Sequence, residues 1–188
     1  MTLEQYSLER PEFRQQVIAH KKNRQVPLGP NATLYFEDRL TMHYQIQEIL
    51  RIEKIFEAPG IEEELDSYNP LIPDGSNWKA TFMIEYEDES ERRQQLAKLI
   101  GVERSIWVQI DGFDKVNPIA NEDLQRETEE KTSAVHFLRF ELSSAMVEAV
   151  HRGANISIGV DHPNYNYQIE TLPDNITKSL GSDLAKRH

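Results

Sequence analysis

Cysteine does not occur anywhere in the 188 residues. Its absence excludes disulfides, thiolate zinc sites, a cysteine nucleophile and any iron–sulfur cluster held by the chain's own thiolates. Long apolar runs are missing too: none approaches the ~18 residues that a membrane-spanning helix needs. The polar stretch Met1–Arg10 lacks the apolar centre of a signal peptide. Positive charge is scarce, with 21 Lys and Arg against 32 Asp and Glu, a net −11. That balance argues against nucleic acid as a partner, because phosphate neutralisation needs clustered cations. Glycine-rich phosphate loops and the GxSxG serine turn are absent as well. These absences leave a soluble, cytoplasmic chain whose length suits one domain.

The residues that are present alternate between helical and strand periodicities. A helix is expected from Pro11 to about Arg24, with Phe13, Val17 and His20 as its inward stripe, closed by Pro27. After a Pro/Gly turn, Thr33–Phe36 reads as a short strand. Asp38 then caps a helix over Arg39–Phe56, which Pro59-Gly60 stops. A shorter acidic helix and the loop Asn69–Asn77 follow. Ala80–Tyr86 alternates as a half-buried strand, and Asp88 with Glu91 opens a helix ended by Gly101. Asp111-Gly112 predicts a hairpin between Ser105–Ile110 and Phe113–Ile119. Asn121–Lys131 reads as an exposed helix or loop and Ala134–Leu142 as a strong strand. A serine-capped helix to Gly153, two strands (Asn155–Val160, Tyr165–Leu172) and a last helix from Pro173 complete the chain. The expected fold is α+β: one domain spanning residues 1–188, an antiparallel or mixed sheet covered by helices, and one long buried helix near residues 38–57.

Charge is uneven along the chain. Arg10, Arg14, Lys21, Lys22 and Arg24 cluster with a single acid, Glu12, between them, while acidic blocks occupy Glu57–Asp66, Glu85–Glu91 and Glu122–Glu130. These charged stretches read as solvated faces, or the basic one as a docking surface for an acidic partner or an anionic ligand.

Several polar residues fall where apolar ones are expected. In the helix from Arg39, apolar side chains lie nearly all round the cylinder, yet Tyr44, Glu48, Arg51 and Ile55 share one stripe. A carboxylate there must be paired, metal-bound or protonated. Glu48 is therefore an ion-pair partner of Arg51, a ligand or general base that Arg51 orients, or an exposed side chain. His136 shares the apolar face of its strand with Leu138, Phe140 and Leu142, while Arg139 and Glu141 share the other. His162 ends a strand beside Asp161, and His20 lies on the first helix's inward stripe. Each histidine reads as a hydrogen-bonded core residue or as a ligand. Imidazole with carboxylate suits iron, zinc or manganese, so His20, His136 and His162 with Glu48 or Asp161 form the candidate metal set. Any such convergence is tertiary, because no HExxH motif is present.

The segments AHKKNRQVPLGPNATLYFEDRLTM (Ala19–Met42), QEILRIEKIFE (Gln47–Glu57), NPLIPDGSNWKAT (Asn69–Thr81), EEKTSAVHFLRFEL (Glu129–Leu142) and GVDHP (Gly159–Pro163) resemble a bacterial family known as domain of unknown function 3501. The likeness runs over nearly the whole chain. It implies no reaction and no catalytic residues. It does imply a cytoplasmic redox or oxidative-stress setting, beside a rubrerythrin and a heterodisulfide-reductase-related iron–sulfur protein.

Three functions follow as expectations. The first is an accessory protein of that redox system, docking an iron–sulfur oxidoreductase or rubrerythrin through the basic stretch. The second is a metal-dependent enzyme with the ligand set above, in which Arg51 or Arg139 holds an anionic substrate. The third is metal-free acid–base catalysis by Glu48 and a histidine.

Overall fold

In a computed structural model, described here for residues 1–122, 128 and 130–185, helices and antiparallel strands build one α+β domain around two open sheets. Helix α1 spans Leu3–Lys21 and begins eight residues before Pro11. Thr2 and Gln5 explain the earlier start: each side chain bonds the other's backbone N–H, at 3.2 and 2.9 Å, closing a capping box. Pro11 is tolerated because its turn faces solvent, with Ser7, whose carbonyl loses its helical partner, exposed as well. Strands β1 (Gln25–Pro27) and β2 (Ala32–Glu37) follow, then α2 (Arg39–Ile52), capped by Asp38, whose carboxylate accepts from the Thr41 N–H.

The expected long buried helix is corrected in two respects. Helix α2 ends at Ile52, where Lys54 adopts φ 56° and the Ile55 N–H reaches back to the Leu50 carbonyl at 3.0 Å. That is a Schellman closure with lysine at the left-handed position, so no glycine marked it. Nor is α2 buried all round: Met42, Ile46 and Leu50 are covered, whereas Ile52 is exposed. Pro59-Gly60, expected as a stop, instead occupies the first turn of α3 (Ala58–Tyr68).

Strand β3 (Asn77–Ile84) leads through α4 (Glu89–Lys98) to β4 (Ile106–Ile110) and β5 (Ile119–Ala120). The expected hairpin at Asp111-Gly112 forms only in part. Val108 and Val116 exchange two backbone bonds, but Pro118 lacks an N–H to continue the ladder, and β5 pairs with the other sheet. Strand β6 (Val135–Glu141), α5 (Ser144–His151), β7 (Ile156–His162), β8 (Tyr165–Ile169) and α6 (Asp174–Gly181) complete the order. Most of the Asn121–Lys131 segment and the three terminal residues lie outside the described residues.

The larger sheet runs β1-β2-β3-β6-β5 and the smaller β4-β7-β8. Leu34 and Phe36, Trp78, Ala80 and Phe82, and Leu138 and Phe140 project from one face of the larger sheet. They join Ile106, Val108, Ile156 and Ile158 of the smaller one in a single core. Helices α4, α5 and α6 contribute Leu96, Val147, Val150, Ile176 and Leu180 to it. The opposite face of the larger sheet carries the alternate residues, and there α2, α3 and the following turn leave an opening.

Candidate functional site

Strand register sets the chemistry of that second face. Glu37, Lys79 and Arg139 align across β2, β3 and β6, Tyr35, Thr81 and Phe137 form the next row, and Thr33, Met83 and Val135 the third. Between these rows and the helices runs a cleft with lobes of about 490 and 370 Å3, meeting at Tyr68, Leu71 and Phe137. Pro70, Leu71, Met42 and Phe137 supply apolar walls, and Lys21, Gln45, Asp66 and Ser67 lie at the rim.

Four charged groups of the cleft have hydrogen-bond partners within the fold. Arg139 forms a two-pronged pair with Glu122 at 2.7 and 2.8 Å and also donates to Glu141. The bond from Arg139 holds the Glu122 carboxyl below its usual range, and the carboxylates push the guanidinium higher still. Lys79 donates to the Pro70 carbonyl at 2.5 Å, and Glu37 accepts from Thr41 and Thr81 at 2.6 and 2.8 Å. The result is a concavity whose polar side chains are held in place by the fold, an arrangement suited to recognition.

The expected metal set does not assemble. Among the described residues no group of three His, Asp or Glu side chains is placed to hold a metal ion. His20 pairs with Asp38 at 2.6 Å. His136 is fully buried: its Nε2–H faces the Ser133 carbonyl at 2.9 Å, and its Nδ1 faces the Asn121 amide, also at 2.9 Å. With a carbonyl at Nε2, the ring donates there and accepts at Nδ1, the neutral form. His162 likewise donates to the Ile100 carbonyl at 3.0 Å and accepts from the Asn164 N–H at 3.2 Å. Asp161 pairs with Lys115 at 2.8 Å, which lowers its pKa. Each side chain thus meets its own local partners on a different element, which is why spacing along the chain did not bring them together.

Glu48 resolves as an ion-pair centre that joins α1 to α2. Arg10 grips it at 2.7 and 3.0 Å, Tyr6 donates at 2.6 Å, and Arg51 lies 3.3 Å away. The Arg10 bonds, with those of Tyr6 and Arg51, pull the Glu48 carboxyl down to about 2, unlike the raised value of a general base near neutrality. Two of the five cations of the basic stretch are engaged within the fold. Arg10 is spent on Glu48, and Arg24 is buried on Asp183, which leaves Arg14, Lys21 and Lys22 more open to solvent.

Of the expected site residues only Arg139 lines the cleft. Lys79, Thr81, Tyr68, Phe137 and Glu122 were missed, although the alternation of β3 already places Lys79 and Thr81 opposite Ala80 and Phe82.

The sequence pattern of a family described as "Protein of unknown function (DUF3501)" matches residues 1–184. A crystal structure of a protein of unknown function from Burkholderia pseudomallei K96243 is similar to this chain, with a TM-score of 0.93 and 51% sequence identity, over 98% of this chain and 96% of that one. No curated protein matches.

Proposed function

The chain belongs to the DUF3501 family, and on that footing we propose that it is an accessory interaction protein, one that works by receiving a protruding segment of a partner in the cleft over the larger sheet. The partner is an iron–sulfur oxidoreductase or rubrerythrin of a cytoplasmic redox or oxidative-stress system, as the family resemblance implies. The observation that supports a binding role is the apolar, aromatic-walled concavity, in which Glu122 and Arg139 pair and Glu37 and Lys79 are held by hydroxyls and a backbone carbonyl. Groups held in this way are preorganised for shape and hydrogen-bond recognition. A chain without cysteine leaves electron transfer to the partner that carries the clusters.

The test is an anaerobic pull-down with the full chain, read by the visible spectrum and iron content of what is retained. Wild type is expected to retain an iron protein. Ser67→Trp, which fills the cleft from exposed α3, is expected to lose it. Glu148→Ala on α5, away from the cleft, is expected to keep it. Recovery of no iron protein by the wild type, or equal recovery by Ser67→Trp, overturns the proposal.

A further inference from the structure

Helix α2 presents a second, separate concavity on the side away from the sheet. The residues that line it lie on one stripe, Arg39, His43, Ile46, Gln47 and Leu50, so one wall changes from cationic to aliphatic along about three turns. Ile61 and Leu65 of α3 form the opposite wall, the Met1–Leu3 segment closes one side, and the groove measures about 840 Å3.

Three features of this groove point to a ligand. No acidic side chain among the described residues lines it, although acids outnumber bases in the chain. The Arg39 guanidinium makes no ion pair among the described residues. Burial, then the chain's amino group and Arg39, lowers the pKa of His43, so the lasting positive charge of this wall is that of Arg39. Gln47, only 6% exposed, donates to the Met1 carbonyl at 3.0 Å, while its own amide oxygen is buried with no hydrogen-bond partner. Such an orphaned acceptor is costly unless something donates to it. The Met1–Leu3 segment is the side of the groove that Gln47 holds, so a ligand's donor meets that oxygen only where this segment gives way.

We propose that this groove binds an aliphatic carboxylate carrying a hydroxyl or amide donor, its head at Arg39 and His43, its donor on Gln47 Oε1 and its chain along Leu50, Ile61 and Leu65. Charge complementarity selects the anionic head, the orphaned oxygen the donor, and the apolar walls the chain.

Titration of the untagged full chain with 3-hydroxydecanoate, below its micelle concentration, tests this by calorimetry and by the His43 ring resonances. Saturable one-to-one binding is expected, weaker by roughly tenfold when two methylenes are removed. Decanoate, which lacks the hydroxyl, is expected to bind several-fold more weakly. Arg39→Gln, at an exposed position, is expected to cost at least about tenfold. Bound anion should raise the His43 pKa, because a nearby negative charge favours the imidazolium. Absence of saturation, equal binding of decyltrimethylammonium, or equal affinity for decanoate overturns the proposal. So does a dimer in solution that Leu65→Glu dissociates, since a second copy would then occupy the groove.

Discussion

Glu48 shows how one carboxylate, set among bases, takes a structural role. Two arginines and a tyrosine hydroxyl converge on it, and its pKa falls from the ordinary 4.5 to about 2. A carboxyl depressed in the folded state contributes stability that is fully present above its unfolded pKa and is lost as pH falls through the folded one. Glu48 therefore stabilises the α1–α2 contact at neutral pH and ceases to do so between about pH 4.5 and 2. In Glu48→Gln, acid unfolding followed by circular dichroism should lose the part of its pH dependence that lies in this window. A variant with an unchanged acid profile would show that the pair contributes nothing. At the same scale, the three histidines show why residue type alone misleads: a buried imidazole is satisfied by a carbonyl and an amide as readily as by a metal, and only coordinates tell which surrounds it.

At the scale of elements, most helices and strands were legible because hydrophobic period, caps and turn residues agree locally. The inward faces of Ala80–Ile84 and His136–Phe140 follow from alternation alone, and Asp38, Asp88 and Ser143 all cap the helices they precede. The errors fall where a local signal was absent or overruled. Lysine stands at the left-handed end of α2, so the end was not marked, and β5 left its hairpin for a longer-range partner. Lys54 at φ 56° carries a conformational cost that glycine does not. Lys54→Gly should therefore stabilise the protein by up to about 1 kcal/mol, read as an increase in the urea midpoint at constant slope. A decrease would mean that the lysine side chain contributes more than the backbone costs.

At the scale of the whole molecule, Arg24 ties the C-terminal helix to the larger sheet. It is 1% exposed and donates to the Phe36 and Glu37 carbonyls at 2.9 and 3.1 Å, to Ser179 Oγ at 3.1 Å and to Asp183 at 2.5 Å, with Asp38 3.5 Å away. Burial raises the Asp183 pKa. Burial also acts to raise that of Asp38, but Arg24, the Thr41 N–H and His20 outweigh it and bring the net value down. Removing the cation strands Asp183 in the interior, so Arg24→Met should cost about 3–5 kcal/mol. Chemical denaturation checks this, and pairing the substitution with Asp183→Leu should recover much of the loss. A single-variant cost below about 1 kcal/mol, the range of a surface pair, would sink the assignment.

Composition and periodicity by themselves determined that the chain has no thiolate chemistry, that it is α+β, and which face of each main strand enters the core. These properties depend on residue type and on neighbours a few positions away, and the physics that sets them acts at that range. Tertiary structure alone decided that Glu48 faces Arg10 as well as Arg51, that Arg24 is buried against Asp183, and that the three histidines stay apart. It likewise decided that the polar faces of β2, β3 and β6 line a cleft together. Those outcomes depend on which distant segments pack against one another, and pairing energies across 38 or 159 residues leave no periodic trace in the chain.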